Sequence, residues 1–145
     1  MTFPIEAKKL LPHRGKMLLI NSVIHASEGA GTATAFLPPE SITHSNSGSI
    51  LSPFFIELVA QTYAAVCGYS YLQQNAPIPN GYLVGVQKFN FHYSDFPSII
   101  NDLNISVQTT GEFDGFAVVE GTVSQNYTVL AEGKIKVWVP QEQNN

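Results

Sequence analysis

Residues 52–67 read SPFFIELVAQTYAAVC, and this run decides the fold. Apolar side chains fall on nearly every helical face, so it predicts a core helix reaching about Leu72, not an amphipathic surface one. Ser52 suits the N-cap, and Pro53 suits the first helical position, where a missing N–H costs nothing. Glu57 stands in the middle of the run. An ionised carboxylate taken out of water without a partner is expensive, so a buried glutamate is expected to have a task.

On either side of the helix the pattern changes from a period near 3.6 to a period of two. Residues 3–11, with Pro4 near the start and Pro12 after the end, predict a short amphipathic helix. Residues 18–26 and 32–36 predict two strands joined by the turn signal Ser27-Glu28-Gly29-Ala30-Gly31. Residues 40–50 form a polar loop that holds His44. After the helix, residues 83–93, 103–108, 116–124 and 127–139 predict strands. Phe89, Phe91 and Tyr93 alternate with Lys88, Asn90 and His92 in the first. Ile135, Val137 and Val139 alternate with Lys134, Lys136 and Trp138 in the last. Such alternation marks an antiparallel sheet with one buried face. The fold class is therefore α+β, a single domain over residues 1–145, with a curved sheet wrapped around one long helix. Its edge strand is expected to be covered by a second protomer.

Composition narrows the partners. The chain has 145 residues, of which 44% are hydrophobic and 12% charged, with net charge −4. A charged fraction near half the usual level of about 25% points to covered surface, hence an oligomer. The negative balance argues against bulk nucleic-acid binding. The one cysteine, Cys67, excludes an internal disulfide and fits a reducing compartment. With no signal-like apolar core at the amino terminus and no uninterrupted membrane-length run, a cytoplasmic protein is expected. No cysteine or histidine cluster has metal-ligand spacing and no glycine-rich phosphate loop follows a strand, so neither metal nor cofactor is expected.

Three segments carry a resemblance. Leu11-Pro12-His13-Arg14-Gly15-Lys16-Met17-Leu18-Leu19-Ile20 resembles the opening signature of the beta-hydroxyacyl-(acyl carrier protein) dehydratases. Ile56-Glu57-Leu58-Val59-Ala60-Gln61 resembles their helix motif, and Gly81-Tyr82-Leu83-Val84-Gly85-Val86-Gln87-Lys88-Phe89 resembles the strand that follows. The match is closest to the divergent subgroup of aryl-polyene clusters. It implies the hot-dog fold and dehydration of 3-hydroxyacyl chains, carried on an acyl carrier protein, to trans-2-enoyl products. The family's usual histidine loop, rich in glycine and proline, is replaced here by Ile42-Thr43-His44-Ser45-Asn46-Ser47-Gly48-Ser49-Ile50-Leu51-Ser52-Pro53.

The chemistry needs a base for the α proton, an acid for the leaving hydroxyl and donors for the thioester oxygen. Neutral histidine suits the first, with an unperturbed pKa of about 6.5. A desolvated glutamate suits the second. N–H groups at a helix start suit the third. His44 is thus the expected base and Glu57 the expected acid. The resemblance implies that the two meet only across a homodimer. Gln61, one turn beyond Glu57, is expected to orient it or a water, or to make a structural hydrogen bond across the dimer. Ser52 or Phe54 is expected to offer the oxyanion N–H; Pro53 has none to give. The resemblance gives His13 a mainly structural role. A bland reading pairs Glu57 with Arg14 or has it cap a backbone group. His25 and His92 read as surface or interface residues. Tyr63, Tyr69, Tyr71, Phe89 and Phe91 are core residues or the lining of an acyl tunnel. Lys8, Lys9, Arg14 and Lys16, or Lys88, Lys134 and Lys136, are candidates to dock an acidic carrier protein. Two rival functions stand beside this one: a hot-dog acyl thioesterase, and a degenerate acyl-binding subunit that pairs with an active dehydratase as a heterodimer.

Overall fold

The computed structural model describes residues 2–38, 43, 45, 50–93 and 102–140. Seven strands form one antiparallel sheet: β1 (Ile5–Glu6), β2 (Ser22–Ser27), β3 (Ala30–Ala35), β4 (Tyr82–Phe91), β5 (Leu103–Phe113), β6 (Phe116–Gln125) and β7 (Thr128–Trp138). Their order across the sheet is β1-β2-β3-β5-β6-β7-β4. The one long helix among the described residues, α1 (Pro53–Gln73), lies against the sheet. The predicted α+β arrangement of one helix held by a curved antiparallel sheet is what forms.

The amino terminus corrects the sequence reading. Residues 3–11 are not an amphipathic helix. Ile5 and Glu6 pair with Val23 and Ser22 as β1, and only a 3-10 turn, Ala7–Lys9, follows. Ile5 goes inward and Glu6 outward, a two-residue alternation too short to separate from a helical stripe. The Ala7 N–H then donates to the Asn21 carbonyl at 2.9 Å. Strand β2 begins at Ser22, later than expected, because the residues before it are held by other groups. The Leu19 N–H donates to the buried side chain of Gln61 at 2.9 Å, and the Asn21 N–H to the Thr34 carbonyl at 2.8 Å.

Two hairpin turns also differ. Strand β5 runs beyond the predicted residues 103–108, through Gly111 to Phe113, with an irregular register between Thr109 and Gly111. The chain reverses at Asp114 and Gly115, both at positive φ (49° and 83°), the geometry that matches the strands' right-handed twist. Asn126 and Tyr127 do the same between β6 and β7, with φ of 50° and 66°.

The core lies between α1 and the inner face of the sheet. Phe55, Leu58, Val59 and Val66 from the helix meet Val23, Ala33, Ile105, Val119, Val123 and Ile135 from the strands. Two glycines permit the approach. A Cβ on Gly121 of β6 would strike the Val59 side chain, and one on Gly68 would strike the Leu10 carbonyl. A side chain there would have to push apart backbone or close-packed core.

The helix is not buried all round, as its composition suggested. Glu57, Ala60, Ala64, Cys67 and Tyr71 are only partly buried. Their spacing of three and four residues puts them on one stripe. Strand β4, at the end of the sheet, is also open. Leu83 and Val86 lie opposite the buried Val137 and Ile135 of β7, yet remain 41% and 46% exposed.

Candidate active site

The site is built where residues 13–19 cross the early turns of α1. Gln61 is its anchor. The side chain is 1% exposed, and a buried amide must find partners or forfeit its hydration. Its Nε2 donates to the Met17 carbonyl at 2.7 Å and to Glu57 Oε1 at 3.0 Å. Its Oε1 accepts the Leu19 N–H at 2.9 Å. Both N–H donors are used, and a flipped amide would turn its oxygen toward a carbonyl and a carboxylate. Gln61 thus holds the Glu57 carboxylate and ties α1 to residues 17–19 within one chain, not across a dimer.

Glu57 differs from the sequence expectation. Its side chain keeps 32% exposure, so this chain does not shut it away from water. An isolated reading of a hydrophobic run misses this, because the face that carries Glu57 is the half-open stripe of α1. His13 lies beside it, with Nε2 3.8 Å from Oε1 and the imidazole 29% exposed. That separation is an ion pair when the ring is protonated, and is too long for a hydrogen bond. The other ring nitrogen, Nδ1, is buried without a partner among the described residues. His13, read as mainly structural, is thus the imidazole brought next to Glu57.

Arg14 takes no part in a Glu57 pair among the described residues. Its Nη1 donates to the Leu11 and His13 carbonyls at 2.6 and 2.7 Å. The guanidinium thereby closes the turn that presents His13. Ser52 does precede α1, but its backbone is already helical (φ −51°, ψ −42°) and its hydroxyl caps nothing. The Phe54 N–H donates to the Leu51 carbonyl at 3.0 Å, so it is engaged locally and is not an open oxyanion donor in this arrangement. Ser52 remains the candidate for that role. His44 lies outside the described residues. His25, on β2, is exposed, and His92 follows β4 with Nε2 3.8 Å from Glu132. Among the described residues no group of three or more His, Cys, Asp or Glu side chains is placed to hold a metal.

The aromatic residues divide. The Tyr69 ring packs against Phe3, tilted, with centroids 5.1 Å apart. Phe91 packs against Phe55 at 6.3 Å and Phe89 at 5.3 Å. Tyr63 and Tyr71 line an open cavity at the far half of α1, with Cys67. Burial pushes the Tyr63 hydroxyl and the Cys67 thiol above their usual values, and the Glu112 carboxylate adds to both shifts.

A helix that offers a carboxylate beside an imidazole, held by a buried amide, suits proton transfer to a substrate on its open side. The family model described as ApeP-like, ApeP dehydratase, matches residues 5–145. The chain belongs to the ApeP-like dehydratase family. The family match supports a dehydratase role, and among solved structures this fold recurs. The dehydratase heterocomplex ApeI:P from Xenorhabdus doucetiae is similar over 98% of this chain and 94% of that one, at 22% identity and a TM-score of 0.86. The conserved protein PA5202 from Pseudomonas aeruginosa covers 91% of this chain and 97% of its own, at 12% identity and 0.67. A hypothetical thioesterase from Streptococcus pneumoniae TIGR4, solved with coenzyme A, covers 84% and 87%, at 12% and 0.61. At these identities the structural likeness shows the hot-dog fold alone. No curated protein matches the chain.

Proposed function

We propose that this ApeP-like protein dehydrates 3-hydroxyacyl chains, carried as thioesters on an acyl carrier protein, to trans-2-enoyl thioesters, and that it does so in the cytoplasm, in polyene or fatty-acid-like synthesis. The observation that carries the reading is the fixed carboxylate on the open face of α1. Gln61 donates to Oε1 of Glu57, and His13 approaches the same oxygen. Oε2 is then the oxygen left to carry a proton to the substrate, because Oε1 already accepts the Gln61 N–H. In the reaction His44 takes the proton next to the thioester carbonyl, Glu57 protonates the departing 3-hydroxyl, and water leaves. The Ser52 N–H holds the thioester oxygen as charge develops there.

The partner is a second hot-dog subunit, in the simplest case another copy of this chain. Strand β4 ends the sheet with apolar side chains facing inward and uncovered, an arrangement that invites strand addition. The similar Xenorhabdus structure is of a heterocomplex, which favours a related hot-dog chain as the other possible occupant. Such a subunit would also dry the half-open stripe of α1 and bring a His44 to Glu57. No helix among the described residues is long and apolar enough to cross a membrane.

The test is product analysis with a 3-hydroxyacyl carrier-protein substrate. Enoyl thioester formed without free thiol supports the proposal. Free thiol in its place makes the protein a thioesterase, and neither product in any assembly makes it a binding subunit. Subunit sharing is tested by mixing His44→Asn and Glu57→Gln proteins. Recovery of activity in the mixture shows a site built from two chains; no recovery places acid and base in one, with His13 the imidazole already beside Glu57.

A further inference from the structure

Two polar side chains approach Oε1 of Glu57 among the described residues, and they are held very differently. Gln61 is fully engaged: its amide makes three hydrogen bonds, one of them to Oε1. It has no donor left over. His13 is clamped only through its backbone, where Arg14 Nη1 donates to its carbonyl at 2.7 Å and to that of Leu11 at 2.6 Å. Neither ring nitrogen makes a hydrogen bond among the described residues. Nε2 stops 3.8 Å from Oε1, and Nδ1 is buried without a partner. The root of this side chain is fixed while its ring is free to turn.

The unpartnered Nδ1 indicates where the ring keeps its proton. A neutral imidazole has one N–H and one bare nitrogen. A proton on Nδ1 would be a buried donor with no acceptor, and would leave a bare Nε2 facing a carboxyl oxygen. Both are unfavourable. A proton on Nε2 faces an acceptor instead. The gap is about 1 Å longer than such a bond, so this donor is held in reserve. Its worth changes with the charge on Glu57, because a hydrogen bond to an ionised group is about twice as strong as a neutral one. Gln61 is already committed, so His13 is the donor of the two that can still close as that charge appears.

We propose that His13 is a positioning residue that acts through Glu57: its Nε2–H swings onto Oε1 as Oε2 passes its proton to the departing hydroxyl, and swings back once the carboxyl is reloaded. In that step His44 takes the α proton, whose electron pair forms the new carbon–carbon double bond. The bond from the β carbon to oxygen breaks with its pair going to oxygen, which takes the Glu57 proton and leaves as water. His13 neither gains nor loses a proton. Its bond tightens only as charge develops, so it lowers the barrier without tightening substrate binding. The inference rests on the dehydratase reading for where the Glu57 proton goes.

The test compares His13→Leu with His13→Gln in the purified assembly, on a 3-hydroxyacyl carrier-protein substrate. Leucine removes the donor, and glutamine returns an N–H at a similar reach. His13→Leu is expected to lower kcat about tenfold, the usual worth of a hydrogen bond to a charged group, with KM within about twofold of the wild type. His13→Gln should recover most of that loss. In a Glu57→Gln background, His13→Leu should cost nothing further. Nitrogen NMR of the wild type should find the proton of the neutral ring on Nε2, and its resonance should move as Glu57 ionises but stay put in Glu57→Gln. Equal kcat losses in the two His13 variants, a loss carried by KM, an additive loss in the Glu57→Gln background, or a proton on Nδ1 overturns the proposal. Normal enoyl formation by His13→Leu sinks this inference and leaves the function standing. No enoyl from the wild type sinks the function, and an Nε2 proton that still answers to Glu57 then keeps His13 as its reserve donor.

Discussion

Two faces of α1 differ although both look apolar in sequence. One face carries Phe55, Leu58, Val59, Thr62 and Val66, all buried against the strands. Thr62 even turns its hydroxyl back to the Leu58 carbonyl at 2.8 Å to satisfy it there. The other carries Glu57, Ala60, Ala64, Cys67 and Tyr71, partly open, with small residues where the first face has large ones. The first face holds the fold, and the second leaves room for a ligand. The comparison teaches that a carboxylate in a hydrophobic run need not be sealed. It can stand on the one side of a core helix that its own sheet does not cover.

The largest effect on stability is expected on the packed side. Gly68→Val places a side chain against the Leu10 carbonyl and should cost about 3 kcal/mol in urea unfolding. Ala60→Ser on the open stripe should stay within about 0.5 kcal/mol. Equal losses would erase the distinction between the faces.

Gln61 joins the two. Gln61→Leu keeps the volume but strands the Leu19 N–H and the Met17 carbonyl. The expected cost is about 2 kcal/mol, together with a fall in turnover as Glu57 loses its donor. A stable variant with normal turnover would reduce Gln61 to filler.

The smallest effect is alkaline. Tyr63 and Cys67 are both acids whose neutral forms the fold favours, chiefly through desolvation. Their contribution is fully present below their ordinary values of 10.0 and 9.0. It is lost as pH rises through the raised folded values, because the unfolded chain releases its protons first. Stability should therefore fall from about pH 9 upward. Tyr63→Phe should flatten that fall, and an unchanged slope would mean the cavity is wetter than its burial implies.

Much of the fold was legible because periodicity records which face meets the core. The strands from Leu103 onward, the helix and Pro53 at its first position are all set by local pattern. The first strand was not, since Ile5–Glu6 shows one alternation and is a strand only by pairing with β2. The exposed inner face of β4 was illegible for a related reason. Alternation back from Phe89 puts Leu83 inward but Val86 outward; only the register shift between Leu83 and Gly85 sets both opposite the buried Val137 and Ile135. In the site, Glu57 and Gln61 stood out as polar residues in an apolar run. His13 did not, because its approach to Glu57 depends on how the Arg14 turn folds back over α1. A polar residue four positions from Glu57 was a local signal; an imidazole forty-four residues upstream was not.

The most direct measurement is turnover of a 3-hydroxyacyl carrier-protein substrate by Glu57→Gln in the same assembly as the wild type, with thermal unfolding followed in parallel. The account predicts an activity loss of about 10²–10⁴-fold, with the unfolding midpoint nearly unchanged because Glu57 sits on the open face. Near-normal enoyl formation, or a loss that merely follows a collapse in stability, would contradict it.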